Sequence, residues 1–269
     1  MKNLLVCLFT LVISVSVAQA KGTSSLSRGG YGFLFPDANS FLNGGQMATT
    51  SGTAVEAFYK RHDHLKTQTL SPSIVWGSGK VGLGAYVNRT GNSLTGNDSS
   101  HTDTMGAGLG VSLAQGRVTA GGTFTRSIDT AQSNDGTVSA ALNYNGSKSQ
   151  GFHMGAGFST SLNSRSGAET KSATLAMGWG FSMATIEANY QLKDLDHTSN
   201  NYKASGYLNF GGSNYYASTG YSYDRPTKQS AVSGRLGYIM GNVDFSVHSE
   251  HTVQTGQTPY YGATLRAAF

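Results

Sequence analysis

The sequence predicts an all-β protein, a transmembrane antiparallel up-and-down β-barrel of about fourteen strands. Three observations support this prediction. Apolar and polar residues alternate with a period of two along most of the chain, which is typical of strands with one face in each of two media. Glycine is abundant, at 36 of 269 residues, whereas proline occurs only four times. Beyond residue 20 there is no apolar run of the roughly 18 residues that a transmembrane helix needs, so a membrane span would have to be a closed barrel.

The first twenty residues have the pattern of a secretory signal peptide. Lys2 precedes an apolar run, and Ala18-Gln19-Ala20 has the small residues of a cleavage site. We therefore expect residues 1–20 to be removed after export. The single cysteine of the chain, Cys7, lies in this leader. The mature protein is then expected to contain no disulfide bond.

Residues 21–52 show no sustained period of two or of 3.6 residues and are rich in Gly, Ser and Asn. Five clustered large apolar residues are the apolar anchors of this segment: Phe33, Leu34, Phe35, Phe41 and Leu42. Two interpretations fit this composition. The segment is either a periplasmic tail, since disorder concentrates at termini, or a plug folded into the lumen, since clustered large apolar side chains are unusual in a solvated tail.

Residues 53–269 form the predicted barrel. The alternating segments cover residues 53–61, 68–76, 80–89, 102–113, 117–126, 137–145, 150–160, 171–181, 183–193, 200–211, 213–223, 229–240, 242–251 and 257–269. Most are close to the roughly 9 to 11 residues that a tilted strand needs to cross a bilayer. Short glycine-containing turns and longer polar loops alternate between them, as periplasmic turns and outer loops do in membrane barrels.

The two faces of these strands differ in chemistry. The predicted outer face is apolar and uncharged, with aromatic residues near strand ends, as interfacial belts require. The opposite face is rich in Gly, Ser, Thr and Asn. Its charged residues, the predicted lumen lining, are Glu56, Lys60, Arg117, Glu187, Lys193, Lys203, Arg235, Asp244, Glu250 and Arg266. Both signs occur, so we expect a mixed polar lumen without strong ion selectivity.

The last segment, residues 259–269, alternates up to an aromatic terminal residue. Tyr261 and Phe269 lie on its apolar face. This pattern resembles the C-terminal recognition signal of bacterial outer-membrane β-barrels. Together with the leader and the alternating segments, it makes nearly the whole mature chain resemble fourteen-stranded monomeric porins or, through the Phe-rich residues 30–45, FadL-type transporters.

The resemblance implies a Gram-negative outer-membrane protein that transits the periplasm. Its implied partners are outer-membrane lipid and lipopolysaccharide, the outer-membrane assembly machinery and small-molecule solutes. The implied function is a channel for passive diffusion of small solutes through a polar lumen. Two alternatives are FadL-like uptake of hydrophobic compounds and a structural or adhesive surface barrel with a blocked lumen.

Few residues suggest further chemistry. A pH-sensitive or metal-binding cluster is possible where the first and seventh outer loops meet; its candidates are His62, His64, Glu250 and His251. Solvated loop histidines are the simpler interpretation. Hydrolase candidates are His153 with Ser159, and Asp194 and Asp196 with His197, but no hydrolase motif accompanies them. We expect no enzymatic activity, no cofactor and, with a net charge of only +5, no nucleic-acid partner.

The terminal pattern yields a first prediction. Deleting Phe269 is expected to reduce assembly into the membrane strongly while leaving the ion selectivity of any assembled protein unchanged, because the residue lies at the strand end and not in the lumen. The yield of folded protein in the membrane fraction measures this. Normal insertion of the truncated chain would contradict the assignment.

Overall fold

A computed structural model describes residues 43–62, 66–92, 101–129, 134–146, 150–197, 201–212, 214–253 and 259–269. It contains fourteen strands and two short 3-10 helices, η1 (Gly44–Thr49) and η2 (Ala114–Gly116). The strands are β1 (Ser51–His62), β2 (Thr67–Ser78), β3 (Val81–Gly91), β4 (His101–Leu113), β5 (Val118–Asp129), β6 (Asn134–Asn145), β7 (Gly151–Leu162), β8 (Glu169–Gly180), β9 (Ala184–Leu192), β10 (Tyr202–Gly211), β11 (Tyr215–Asp224), β12 (Gln229–Met240), β13 (Val243–Thr252) and β14 (Tyr260–Ala268).

The fourteen strands form one closed barrel in which each strand pairs antiparallel with its neighbours in the chain. The first and last strands complete the ring, with Ala54 opposite Ala268 and Lys60 opposite Gly262. Phe269 donates its N–H to the carbonyl of Thr53 at 2.7 Å, and Thr53 donates back at 2.9 Å. The predicted barrel, its strand number and its closure between β1 and β14 are confirmed. We call the rim that contains Ser51 and Phe269 the closing rim, and the opposite one the loop rim.

Several strands extend further toward the loop rim than the sequence predicts. β5 continues to Asp129 and β6 begins at Asn134, which reduces the predicted loop 127–136 to residues 130–133. The strict alternation of short and long connections is therefore wrong, since the predicted long loop, residues 130–133, is shorter than the turn 146–150 that follows it. Between the apolar outer surface and the loop rim, water replaces lipid around the barrel. Strand pairs can therefore continue there with polar residues on both faces.

The outer surface is apolar, as the alternation predicts. Large side chains such as Leu83, Leu109, Phe124, Leu175 and Leu236 are exposed on it. Exposed aromatic residues gather at the closing rim: Trp76, Tyr144, Trp179, Phe181, Phe210, Tyr215 and Tyr238. Within the described ranges, no helix is long and apolar enough to cross a membrane.

The closing contact gives a stability prediction with a matched control. Gly52 has φ +87°, and a Cβ there would collide with the carbonyl oxygen of Phe269. Gly79 has φ +76° and open space within 4 Å of the same position. Both alanine substitutions incur the left-handed strain of ~1–2 kcal/mol, but only Gly52→Ala also disturbs the Thr53–Phe269 hydrogen bonds. Urea unfolding in detergent should show a larger decrease in the free energy of unfolding for Gly52→Ala than for Gly79→Ala. Equal losses would mean that this contact does not stabilise the closure.

Candidate functional site: the barrel lumen

The inner face is divided into two walls. The charged wall comprises β9–β14 and β1, whose inward residues include Glu187, Lys203, Arg235, Asp244, Glu250, Arg266, Glu56 and Lys60. The hydroxyl wall comprises β2–β8 and presents mainly Gly, Ser, Thr and Asn, with Asp129 and Asp135 only at the loop rim. Charges of both signs therefore line one side of the lumen and neutral polar groups the other.

Helix η1 lies on the closing-rim half of the hydroxyl wall, where inward glycines leave room for it. A Cβ at Gly110 would collide with the carbonyl oxygen of Gly44 and lie 2.9 Å from the nitrogen of Ala48. A Cβ at Gly82 or Gly121 would likewise meet the backbone of η1. The helix packs against strands β2 to β6. Its residues Gly44 to Ala48 are buried, so this segment occupies part of the lumen.

Side-chain amides attach the start of η1 to the barrel. Asn43 and Asn143 exchange hydrogen bonds, with Nδ2–Oδ1 distances of 2.7 and 3.0 Å. Asn143 also donates to the hydroxyl of Thr119 at 3.2 Å. Gln46 donates to Asn145 at 3.5 Å. Buried amides are costly without partners, so this mutual pairing favours one position of the segment.

The closing-rim half of the charged wall is packed by a polar network. The Tyr216 hydroxyl donates to Asp244 at 2.9 Å, and Nε of Arg235 donates to Ser246 at 2.9 Å. The strand register places Arg266 directly between Glu56 on β1 and Asp244 on β13. Because the last strand must pair with the first to close such a barrel, the sequence predicts that Arg266 lies near Glu56, and the register confirms this. Opposite charges on neighbouring strands stabilise such a pairing.

Toward the loop rim the lumen opens into a cavity of about 890 Å³. The charged groups that line it are Glu56, Lys60 and Lys203. The remaining lining includes Phe58, Tyr86, Tyr207, His248 and Tyr260 together with many Ser and Thr residues. Small-molecule sites have volumes of roughly 300–1,000 Å³, so the cavity is large enough to hold a small solute.

Two predicted lumen residues lie at the barrel ends. Arg117 follows η2 in the turn before β5 and is exposed. Lys193 follows β9 near the loop rim, where its Nζ donates to Asp224 at 2.7 Å.

The predicted histidine cluster is only partly described. His62 ends β1, Glu250 accepts a hydrogen bond from the Tyr260 hydroxyl at 3.1 Å, and His251 is exposed. His64 lies outside the described residues, as do Phe33 and Phe35. Among the residues whose positions are described, no group of three or more His, Cys, Asp or Glu side chains could hold a metal ion. The pH- or metal-sensitive cluster stays a prediction.

The hydrolase candidates are separated or exposed. His153 and Ser159 are six residues apart on β7, which corresponds to about 20 Å along a strand, and Ser159 is hydrogen-bonded to Ser172 at 2.7 Å. In the loop after β9, Nδ1 of His197 lies 3.0 Å from Oδ2 of Asp194. The hydrogen bond from His197 is the main reason that the pKa of the Asp194 carboxyl is lowered.

Comparisons with known proteins agree with the architecture. No protein-family model matches the chain, and no curated protein matches it. Among solved structures, a triple mutant of the Rhodopseudomonas blastica porin superposes with a TM-score of 0.50 at 9% identity, covering 81% of this chain and 99% of that one. The chain shares the fold of a porin. A KdgM porin gives a TM-score of 0.48 at 12% identity, and the superposition covers 80% of this chain and 99% of the KdgM porin.

Sequence reasoning left open whether residues 21–52 are a periplasmic tail or a lumen plug, and it missed His248. Residues 43–49 carry no periodic signal, and only the unusual density of inward glycines on β3 to β5 hinted that something packs there. His248 was not among the predicted site residues, although it lies on the inner face of β13 and stacks on Phe58, with ring centroids 4.9 Å apart.

The packing of η1 gives a third prediction. Gly110→Ala should displace η1 from the wall, because the added methyl group collides with Gly44, and such overpacking typically costs about 1–3 kcal/mol. Gly234→Ala is the control, since a Cβ at Gly234 meets nothing within 4 Å. Ala48→Cys introduces a thiol at a position with no exposed surface. This thiol should react with a water-soluble thiol reagent about tenfold faster or more when Gly110→Ala is also present. Gly234→Ala should not change the rate. Equal labelling rates would contradict this packing.

Proposed function

We propose that this protein is an outer-membrane channel for passive diffusion of small polar solutes. The observation that carries the proposal is the cavity of about 890 Å³, lined by polar side chains, inside a closed barrel with an apolar outer surface. A lumen lined by hydroxyl, amide and charged groups of both signs favours hydrated solutes over hydrophobic ones. It therefore argues against FadL-like uptake of hydrophobic compounds.

We further propose that the segment 21–52 limits the channel as a lumen plug. The buried position of Gly44–Thr49 against strands β2 to β6 supports this role. On the opposite side, Tyr216 and Arg235 are also buried. A solute would therefore enter the wide cavity at the loop rim and meet a narrower passage near the closing rim.

A second candidate function is a surface barrel whose lumen is blocked and whose loops bind a partner. The same packing of η1 and of the Tyr216–Asp244 network favours it, because both reduce the open cross-section near the closing rim. The two candidates differ in one measurable property, which is the passage of ions.

Conductance in planar bilayers tests the proposal. The purified mature protein should give discrete current steps, and removal of residues 21–49, which leaves β1 intact, should enlarge them because η1 no longer occupies the lumen. Disrupting only the attachment of η1 with Asn43→Ala should increase the fluctuation of the current without removing the segment.

The outcomes separate the candidates. Steps of equal size with and without residues 21–49 would contradict the plug but not the channel. Absence of conductance from both proteins, with folded barrels verified by circular dichroism, would overturn the channel and leave the blocked surface barrel.

A further inference from the structure

Aromatic rings lie flat against the inner wall at positions where the neighbouring strand has glycine. A Cβ at Gly220 would lie 2.5 Å from Cδ1 of Tyr207, and Cβ atoms at Gly106 and Gly262 would collide with the rings of Tyr86 and His248. Each ring therefore has one face against the barrel backbone. Tyr86, Tyr207 and His248 all line the cavity, so their rings offer apolar surface to whatever occupies it.

Phe58 adds a further ring at this site. It stacks on His248 with an interplanar angle of 10°, and the ring of Tyr260 lies edge-on to His248 at 6.3 Å. Nζ of Lys60 lies 3.6 Å from the centroid of Tyr260, so this cation is held at an aromatic face. The cavity thus combines a cluster of rings on β1, β13 and β14 with the hydroxyl wall across the lumen.

The hydroxyl wall carries paired side chains around the same cavity. The distances between the paired hydroxyl oxygens are 2.9 Å for Thr69 and Thr90, 2.5 Å for Thr123 and Ser139, and 2.7 Å for Ser159 and Ser172. Each hydroxyl has one donor and two acceptor lone pairs. A pair uses one donor internally, so the second donor and several lone pairs remain for a ligand. The wall can both donate to and accept from the same molecule.

Three buried polar atoms around the cavity have no hydrogen-bond partner within the described part of the chain. They are Oε2 of Glu56, Oδ1 of Asn189 and Nε2 of His248. The residues of all three atoms line the cavity, and Glu56 and His248 are each only 6% exposed. Because a buried polar atom without a partner is costly, Oε2 of Glu56 and Oδ1 of Asn189 are candidates to accept a hydrogen bond from an occupant, whereas Nε2 of His248 faces the backbone at Gly262.

From these observations we propose that the cavity binds a small neutral carbohydrate, an inference that names the solute class of the proposed channel and rests on that function. Sugars have apolar C–H faces, which pack on flat rings such as Phe58 and Tyr207. They also carry hydroxyls that donate and accept, which matches the hydroxyl wall and the unpartnered atoms. The charged lining residues have both signs, so no strong preference for a charged solute arises.

Calorimetric titration of the purified full chain in detergent tests binding independently of conduction. The probes are raffinose, a neutral trisaccharide, and polyethylene glycol of the same hydrodynamic radius, which has ether acceptors but almost no donors. Raffinose should bind saturably and also block the bilayer current saturably. Polyethylene glycol should do neither. Equal behaviour of the two probes, or tighter binding of an acidic trisaccharide than of raffinose, would overturn the assignment.

Two variants and one control locate the site. Phe58→Ala and, across the cavity, Tyr207→Leu should each weaken raffinose binding about tenfold or more, since each removes one stacking surface. Phe245→Ala removes a ring of the same size from the outer face of β13, where Phe245 is 50% exposed, and should leave binding unchanged. Unchanged binding in both lumen variants, with the fold intact by circular dichroism, would contradict the proposed site.

The failures of the two proposals are distinguishable. Conductance steps without raffinose binding would overturn the carbohydrate site and leave the channel. Raffinose binding without conductance would overturn the channel and leave the site.

Discussion

The structure depends on one constraint, which is that every backbone N–H and C=O within lipid must be paired inside the protein. A chain of consecutive antiparallel strands can meet this only if its first strand pairs with its last. Here β1 and β14 do so from Ala54 to His62, and the Thr53–Phe269 pair continues the contact to the closing rim. Closure then assigns every side chain either to the outer surface or to the lumen.

Within the closed ring, glycines, which have no side chain, shape the lumen as much as the larger residues do. Gly82, Gly110 and Gly121 leave space along the wall that the backbone of η1 occupies. Gly106, Gly220 and Gly262 do the same for aromatic rings nearer the loop rim. Glycine is entropically unfavourable in a strand interior, and close approach of another backbone or ring explains its use at these positions.

The lumen that results is chemically asymmetric. The charged wall holds pairs such as Glu56 and Arg266 on adjacent strands, where opposite charges partly offset one another. The hydroxyl wall carries charge only at the loop rim, and several of its hydroxyls are bonded in pairs. A hydrated or hydroxyl-rich solute can exchange hydrogen bonds with both walls, whereas a hydrophobic one would leave their polar groups unpaired. This asymmetry is the physical basis of the proposed transport of polar solutes.

The amino-acid sequence by itself determined the strands, their number, the two faces and the neighbours Glu56 and Arg266. A period of two is local, and consecutive antiparallel pairing makes register follow from strand order. Strand ends near the loop rim were not predictable, because polar residues on both faces carry no boundary signal. Only the tertiary structure decided that η1 lies in the lumen and that His248 stacks on Phe58. Those contacts join residues far apart in the chain, such as Asn43 and Asn143, 100 positions apart, and they depend on where neighbouring strands lack a Cβ.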